Sequence, residues 1–268
     1  MNILSTHSIS QLHHSRFHGR AARRRALGAK LVDIPAANWG LFGLTANPVS
    51  GEIFWTDGYH VLSSDLTGKS ILITGSSSGF GRLGAEHYAR LGAKVFATMR
   101  NLPRPEAAEL TKLARDENLD IEVIELDVLD DEQVKAAVSF AETLNGGPID
   151  VLINNAGIGI SGPVEVQDME ATRLIFDTNV LGAHRMARAV LPGMRKKGGG
   201  QIFQISSQLG RVIVPYAGHY SATKFALEAM GEQLAYELVP HNIEVTIIEP
   251  GGYPTKVWVN RNIYTGAL

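Results

Sequence analysis

Six short Val- and Ile-rich runs, separated by longer stretches of helical periodicity, constrain this chain more than any other feature. From residue 68 the runs fall at 71–74, 94–98, 121–125, 150–154, 201–205 and 243–248, and the helical stretches at 80–91, 105–117, 131–144, 170–195 and 217–238. Strands alternating with helices of that length predict βαβ units and a parallel sheet covered on both faces. Right-handed crossovers then give a doubly wound α/β sheet, a Rossmann fold in a single domain. Pro192-Gly193 is expected to end or kink the fourth helix, because proline lacks the amide that the carbonyl four residues back requires.

Composition narrows the function. Against 27 Asp+Glu stand 25 Lys+Arg, a net charge of −2, which argues against a general nucleic-acid binder. With no cysteine in 268 residues there is no disulfide framework, no Cys-ligated zinc and no thiol nucleophile. No apolar run approaches the ~18–20 residues of a transmembrane helix. The expectation is a soluble, cytoplasmic domain. The start of the chain differs: residues 1–32 hold Arg16, Arg20, Arg23, Arg24, Arg25 and Lys30 and no acid. Such a segment reads either as a transit peptide without an apolar stretch or as a disordered or partly helical leader over 1–46. His13-His14, without further ligands at useful spacing, is discounted as a metal site, and no metal is predicted.

The first run leads directly into Thr74-Gly75-Ser76-Ser77-Ser78-Gly79-Phe80-Gly81. Glycines between an apolar strand and a helix let the chain turn tightly and bring backbone N–H groups against a pyrophosphate. A merely structural turn is the alternative, and the strand–helix context favours the nucleotide. The second run ends Thr98-Met99-Arg100-Asn101, without the acid that would accept both ribose hydroxyls of NAD. A guanidinium at Arg100 suits a 2′-phosphate, so NADP (NADPH) is expected over NAD; a solvated surface arginine is the alternative.

Tyr220 and Lys224 stand four apart in a helical stretch and share a face. Ser207 lies thirteen residues earlier at the end of a strand, where the ligand crevice opens. An ammonium beside a phenol stabilises the phenolate and is expected to lower the tyrosine toward neutrality. Tyr216, with no lysine four residues on, is the internal control.

Together Thr74-Gly75-x3-Gly79-x-Gly81, Asn154-Asn155-Ala156-Gly157, Asn179, Ser207, Tyr220-x3-Lys224 and Pro250-Gly251 resemble the short-chain dehydrogenase/reductase family, in its order and spacing over roughly 68–256. The resemblance implies that Tyr220 exchanges a proton with the substrate oxygen and Ser207 hydrogen-bonds that oxygen. It implies that Lys224 holds the nicotinamide ribose and that Asn179 orients a water. It also implies cofactor contacts from Gly75, Ser77, Gly79, Phe80, Gly81, Arg100, Asp127, Val128, Asn154, Ala156, Gly157, Pro250, Gly251 and Thr255. The loop's Gly-Phe-Gly and the Met-Arg-Asn after the second strand look most like the retinol- and hydroxysteroid-type branch. Pro163, Leu209, Val212 and Tyr216 are candidates for an apolar pocket or for packing. The helices at 170–195 and 217–238 resemble those with which the family dimerises, so a homodimer or larger homo-oligomer is expected. The substrate class is a small carbonyl or alcohol, apolar in character.

Two departures from the family pattern matter. Family members usually run about fifty residues beyond the Pro-Gly turn, and this chain stops at Leu268. A missing last strand would expose the edge formed by 243–248. Residues 47–59 look like the family's closing segment, so 50–57 are expected to dock as a seventh strand beside 243–248, in cis, in trans, or not at all. The chain is thus divided into a leader (1–46), a candidate edge strand and linker (47–67) and a catalytic domain (68–268). The leading reading is an NADP(H)-dependent oxidoreductase interconverting a secondary alcohol and a ketone or aldehyde. The rival is a truncated relative, catalytically weak or inactive, acting as an NADP-binding module.

Overall fold

In the computed structural model the described residues are 66–252, together with the backbone of four short strands, and contacts divide the chain into Met1–Ser64 and Asp65–Leu268. In the first unit, β1 (Val32–Asp33) pairs antiparallel with β4 (His60–Val61), and β2 (Leu44–Ala46) with β3 (Ile53–Trp55). Residues 50–57, for which docking as a seventh strand is expected, contain β3. Ile53–Trp55 is the antiparallel partner of Leu44–Ala46, and no strand pairs beyond the 243–248 edge among the described residues. The rest of the leader, and residues 253–268 with Thr255, lie outside the described residues.

The second unit is the expected α/β fold. Its strands are β5 (Ser70–Ile73), β6 (Lys94–Met99), β7 (Ile121–Glu125), β8 (Val151–Asn154), β9 (Gly200–Ile205) and β10 (Ile243–Ile248). They form one all-parallel sheet in the order β10-β9-β8-β5-β6-β7. The order reverses between β5 and β8, and the crevice beyond those strand ends is where such sheets take ligands. Central strands β5 and β6 are almost wholly buried, as strands covered on both faces must be. Edge strand β7 alternates, in keeping with one covered face and one wet one.

Helices α1 (Gly79–Arg90), α2 (Pro105–Asp116), α3 (Asp131–Asn145), α4 (Met169–Phe176), α5 (Gly182–Lys197) and α6 (Gly218–Leu238) fill the crossovers. Local chemistry sets their ends. Asp130 accepts from the amides of Glu132 and Gln133 to cap α3, and Gly146 closes that helix in the left-handed region. Val134, Val138 and Ala141 of α3 and Met186, Val190 and Met194 of α5 pack against Leu72, Phe96, Leu152 and Ile202 of the sheet to form the main core. No helix among the described residues is long and apolar enough to cross a membrane.

The single helix expected over 170–195 is three pieces. A π turn at Asp177–Leu181 joins α4 to α5 and inserts an extra residue beside the ligand crevice, a common use of such turns. Pro192 does not end α5, which continues to Lys197. Pro192 is exposed, and so is Arg188 four residues back, so water can satisfy the carbonyl that loses its partner.

Candidate active site

The turn after β5 is built from backbone and has little room for side chains. Thr74 N extends the ladder to Ile153 O (3.0 Å), and Gly75 and Gly79 hold φ of +72° and +58°. A Cβ on Gly81 would stand 2.4 Å from Gly75 O and 2.5 Å from Asn155 Nδ2, so only glycine lets α1 start this close. Asn155 laces the turn to the end of β8: its Nδ2 donates to Thr74 O (2.8 Å) and Gly75 O (3.1 Å). Thr74 Oγ1 in turn accepts from the amides of Asn155 and Ala156, both at 2.9 Å. Ser76 is buried and donates to Ile73 O, while Ser77 and Phe80 are partly exposed at the turn.

This turn fits a dinucleotide. Ser78 makes no side-chain cap at the start of α1, and the first turn of the helix carries no acid. The partial positive charge of the helix N-terminus therefore faces the crevice with no carboxylate against it. Two polar atoms buried at the crevice's strand ends, Thr98 Oγ1 and Asn154 Oδ1, have no hydrogen-bond partner among the described residues. Asn154 is fixed by its other end, with Nδ2 donating to Ala183 O. Beyond β6, Arg100 is exposed, and its carbonyl accepts from Arg104 Nη1 (3.3 Å). Beyond β7, Asp127 Oδ1 accepts from Leu129 N (3.0 Å), which fixes its carboxylate at the rim, and Val128 is buried beneath it. Ala156 is partly buried and Gly157 exposed, and a Cβ on Gly157 would stand 3.3 Å from Asn179 Oδ1 and 3.8 Å from Lys224 Nζ.

The second half of the site is made of side chains. Tyr220 and Lys224, on the first turns of α6, face β9 as the spacing requires. Lys224 Nζ donates to Ile205 O (2.8 Å) and lies 5.6 Å from the centre of the Tyr220 ring. Ser207 lies close enough to the Tyr220 hydroxyl to favour its phenolate. Ser207 sits two residues past β9, capping a short 3-10 turn (Gln208–Gly210), where its Oγ accepts from Leu209 N (3.2 Å). Pro250 O, after β10, accepts from Gln208 N (3.0 Å) and Ser207 Oγ (3.5 Å), with Gly251 exposed next to it. Asn179, in the π turn, is buried: its Oδ1 accepts from Ile158 N (2.8 Å), and its Nδ2 donates to Ile158 O (2.9 Å) and Thr223 Oγ1 (3.1 Å). Thr223, which the sequence did not single out, donates to Tyr220 O and so links Asn179 to the tyrosine's own turn.

Burial corrects one electrostatic expectation. Tyr220 titrates above the usual phenol range, because desolvation of the phenolate outweighs the hydrogen bond from Ser207 that favours it. Lys224 moves the other way, down to about 8, because burial disfavours the ammonium more than the Glu228 carboxylate supports it. At neutral pH the site holds a protonated phenol beside an ammonium.

Two loops, one of them the segment that joins Ser207 to Tyr220, carry exposed apolar side chains. Val164, Val166, Met169, Val212, Ile213 and Tyr216 are exposed, with Ile213 at 74%. The two loops that carry them meet: Gly162 N donates to Tyr216 O (2.9 Å). Tyr216 lies in the loop before α6 at φ +65° and is exposed. Pro163 and Leu209 are partly buried beneath this rim.

The profile of the family described as short chain dehydrogenase matches residues 69–264. The chain belongs to that family. It is similar to the uncharacterized oxidoreductase YusZ of Bacillus subtilis, 42% identical over 71% of this chain and 67% of the relative. It is also similar to human retinol dehydrogenase 8, 40% identical over 70% of this chain and 60% of that protein. The chain thus spans about two thirds or less of the length of the relatives it matches. Among solved structures, a gluconate 5-dehydrogenase from Burkholderia cenocepacia in complex with NADP and tartrate superposes with a TM-score of 0.67 and 31% identity, over 72% of this chain and 74% of that one. Within the family the chain falls beside the retinol and hydroxysteroid dehydrogenases, and it is an oxidoreductase of the kind that acts on CH–OH groups.

Proposed function

We propose that this chain reduces an apolar ketone or aldehyde with NADPH, and runs the reverse oxidation at higher pH. The observation that carries the reading is the Lys224 ammonium beside the Tyr220 ring, with Ser207 close enough to favour the phenolate, on the same sheet end as a turn shaped for a pyrophosphate. Tyr220, protonated at neutral pH, is the proton donor to the carbonyl oxygen, and Ser207 orients that oxygen. Lys224 stabilises the phenolate as it forms and holds the nicotinamide ribose. Asn179, fixed by Ile158 and Thr223, sits behind Lys224 where a relay water would stand. The cofactor, when bound, supplies the hydride. The turn at Gly75–Gly81 would hold its pyrophosphate, Asp127 and Val128 would serve its adenine, and Asn154–Gly157 and Pro250–Gly251 its nicotinamide half; Thr255 remains a candidate from the sequence alone.

NADP is favoured over NAD because Arg100 follows β6 where an acid would repel a 2′-phosphate. The solved structure with NADP on the same fold supports that choice. The apolar rim of Val164, Met169 and Ile213 supports an apolar substrate, as does the retinol dehydrogenase relative's name. Exposed Leu181 and Phe225 on the π turn and α6 support association into a homodimer.

The test is a fluorescence titration of NADPH and NADH into the full chain, followed by NADPH consumption with all-trans-retinal and a 17-ketosteroid. Tighter NADPH binding, and consumption lost in Tyr220→Phe, support the reading. NADPH binding without consumption of any carbonyl would leave a binding module, and equal affinity for NADH would remove the role given to Arg100.

A further inference from the structure

The proposed chemistry leaves one buried acid unused. Glu228 lies on α6 one turn beyond Lys224 and is only 2% exposed. Carboxylates are rarely buried so fully unless paired. Its Oε1 accepts from Ser206 Oγ at 2.6 Å. Arg211 Nε stands 2.5 Å from its Oε2, while the Nε–H is directed to Glu249 Oε1 at 2.9 Å and Arg211 Nη2 reaches Glu232 Oε1 at 2.9 Å. A Cβ on Gly210 would lie 2.0 Å from Glu228 Oε1, so the loop backbone closes directly onto the carboxylate.

Ser206 and Arg211 bracket Ser207 and the 3-10 turn that follows it. Ser207 Oγ itself is held only by the Leu209 amide and a long contact to Pro250 O. Backbone bonds from Ser206 N to Ile248 O (2.7 Å) and from Gln208 N to Pro250 O (3.0 Å) hold the loop to the end of β10, and the ties of its side chains to α6 include the Ser206 hydrogen bond and the Arg211 ion pair with Glu228. We propose that Glu228 is a positioning residue, whose carboxylate ties the 206–211 loop to α6 and thereby fixes where the Ser207 hydroxyl stands against Tyr220. The inference rests on the reading of Tyr220 as the proton donor.

The charged groups facing Glu228 are Lys224 and Glu232 on its own helix, Arg211 on the loop and Glu249 after β10. Burial pushes its carboxyl up, as do Glu249 and Glu232, while Ser206 and Arg211 pull it down. Its charge also supports the Lys224 ammonium against burial. Loss of the carboxylate therefore acts on Tyr220 twice in one direction: a slackened Ser207 bond and a weaker Lys224 charge both disfavour the phenolate.

The experiment uses Glu228→Gln in the full chain, with Arg211→Gln cutting the same tie from the loop side. Tyr220 ionisation is read in the free protein as the 295 nm absorbance difference against Tyr220→Phe. Glu228→Gln should move it to higher pH by about half a unit or more, and Arg211→Gln should move it less in the same direction. With NADPH and all-trans-retinal, at a pH low enough to keep Lys224 charged, Glu228→Gln should lower kcat about tenfold with the KM for NADPH within about twofold. Added to Ser207→Ala it should cost less than it costs alone, because the route through the Ser207 hydroxyl is already lost and only that through Lys224 remains. A wild-type 295 nm profile in both variants, with only a lowered melting temperature, would overturn the proposal and leave Glu228 a structural acid. If Tyr220→Phe itself keeps reducing retinal, the donor reading fails separately, and the absorbance titration still decides the tie. Should Glu228→Gln not fold, Arg211→Gln, whose side chain is half exposed, carries the same test.

Discussion

The turn at Gly75–Gly81 and the face made by Ser207, Tyr220 and Lys224 stand at the same end of one sheet but are built on opposite principles. The turn is a shape. Positive φ at two glycines, a Gly81 with no space for a methyl group, and backbone oxygens held by Asn155 define it, and no ionisable side chain takes part. The catalytic face is a charge arrangement: a phenol pushed up by burial, an ammonium pushed down, and a hydroxyl held by its loop. A shape fails when an atom is added. A charge arrangement fails when a proton moves.

Several measurements can break or sharpen that contrast. The largest effect is expected from Tyr220→Phe, which should remove about 10²–10⁴-fold of carbonyl reduction while NADPH affinity stays near wild type. A comparable loss of NADPH affinity would show that the two halves are not separable. Gly81→Ala should do the reverse. Its Cβ meets backbone rather than a flexible side chain, so a strain of about 1–3 kcal/mol should weaken NADPH about tenfold to a hundredfold and lower the melting temperature. Wild-type NADPH titration curves for Gly81→Ala would refute the account of the turn.

Arg100→Ala should lower the preference for NADPH over NADH by about tenfold, the scale of one charge-assisted contact to phosphate. An unchanged ratio in parallel titrations would make Arg100 an ordinary surface residue. The smallest effect is in pH. Lys224 is charged below about 8 and neutral above it. NADPH affinity should be greatest below pH 8 and fall several-fold as pH rises through that value, and Lys224→Met should flatten the profile. A wild-type affinity that stays level to pH 9.5 would place the ribose contact elsewhere.

Much of this site was legible in the sequence. The turn could be read because its requirement is local: three glycines between a strand and a helix specify it within eight residues. Tyr220 and Lys224 could be read because a helix puts i and i+4 on one face. The electrostatics could not. A lysine four residues on predicts a lowered phenol, yet burial, set by the packing of α6 against β9 and the 206–211 loop, reverses the sign. Thr223 and Glu228 were missed, although Glu228 continues the same face, i+4 from Lys224. That spacing was the available signal, and an acid on a helix is ordinarily a solvated one.

By itself the sequence determined the six strands, the sites of the turns and the face carrying the tyrosine and lysine, because periodicity and turn chemistry are properties of neighbouring residues. Tertiary structure alone decided that α5 runs through Pro192, since that position faces water, and that a π turn interrupts the expected single helix. It also decided that 53–55 pairs with 44–46, and that the groups of the site titrate away from their ordinary values. Those outcomes depend on which groups lose water and which partners replace it. Ser206 meeting Glu228, 22 residues apart, and Thr74 meeting Asn155, 81 apart, are contacts between segments whose encounter no local pattern encodes.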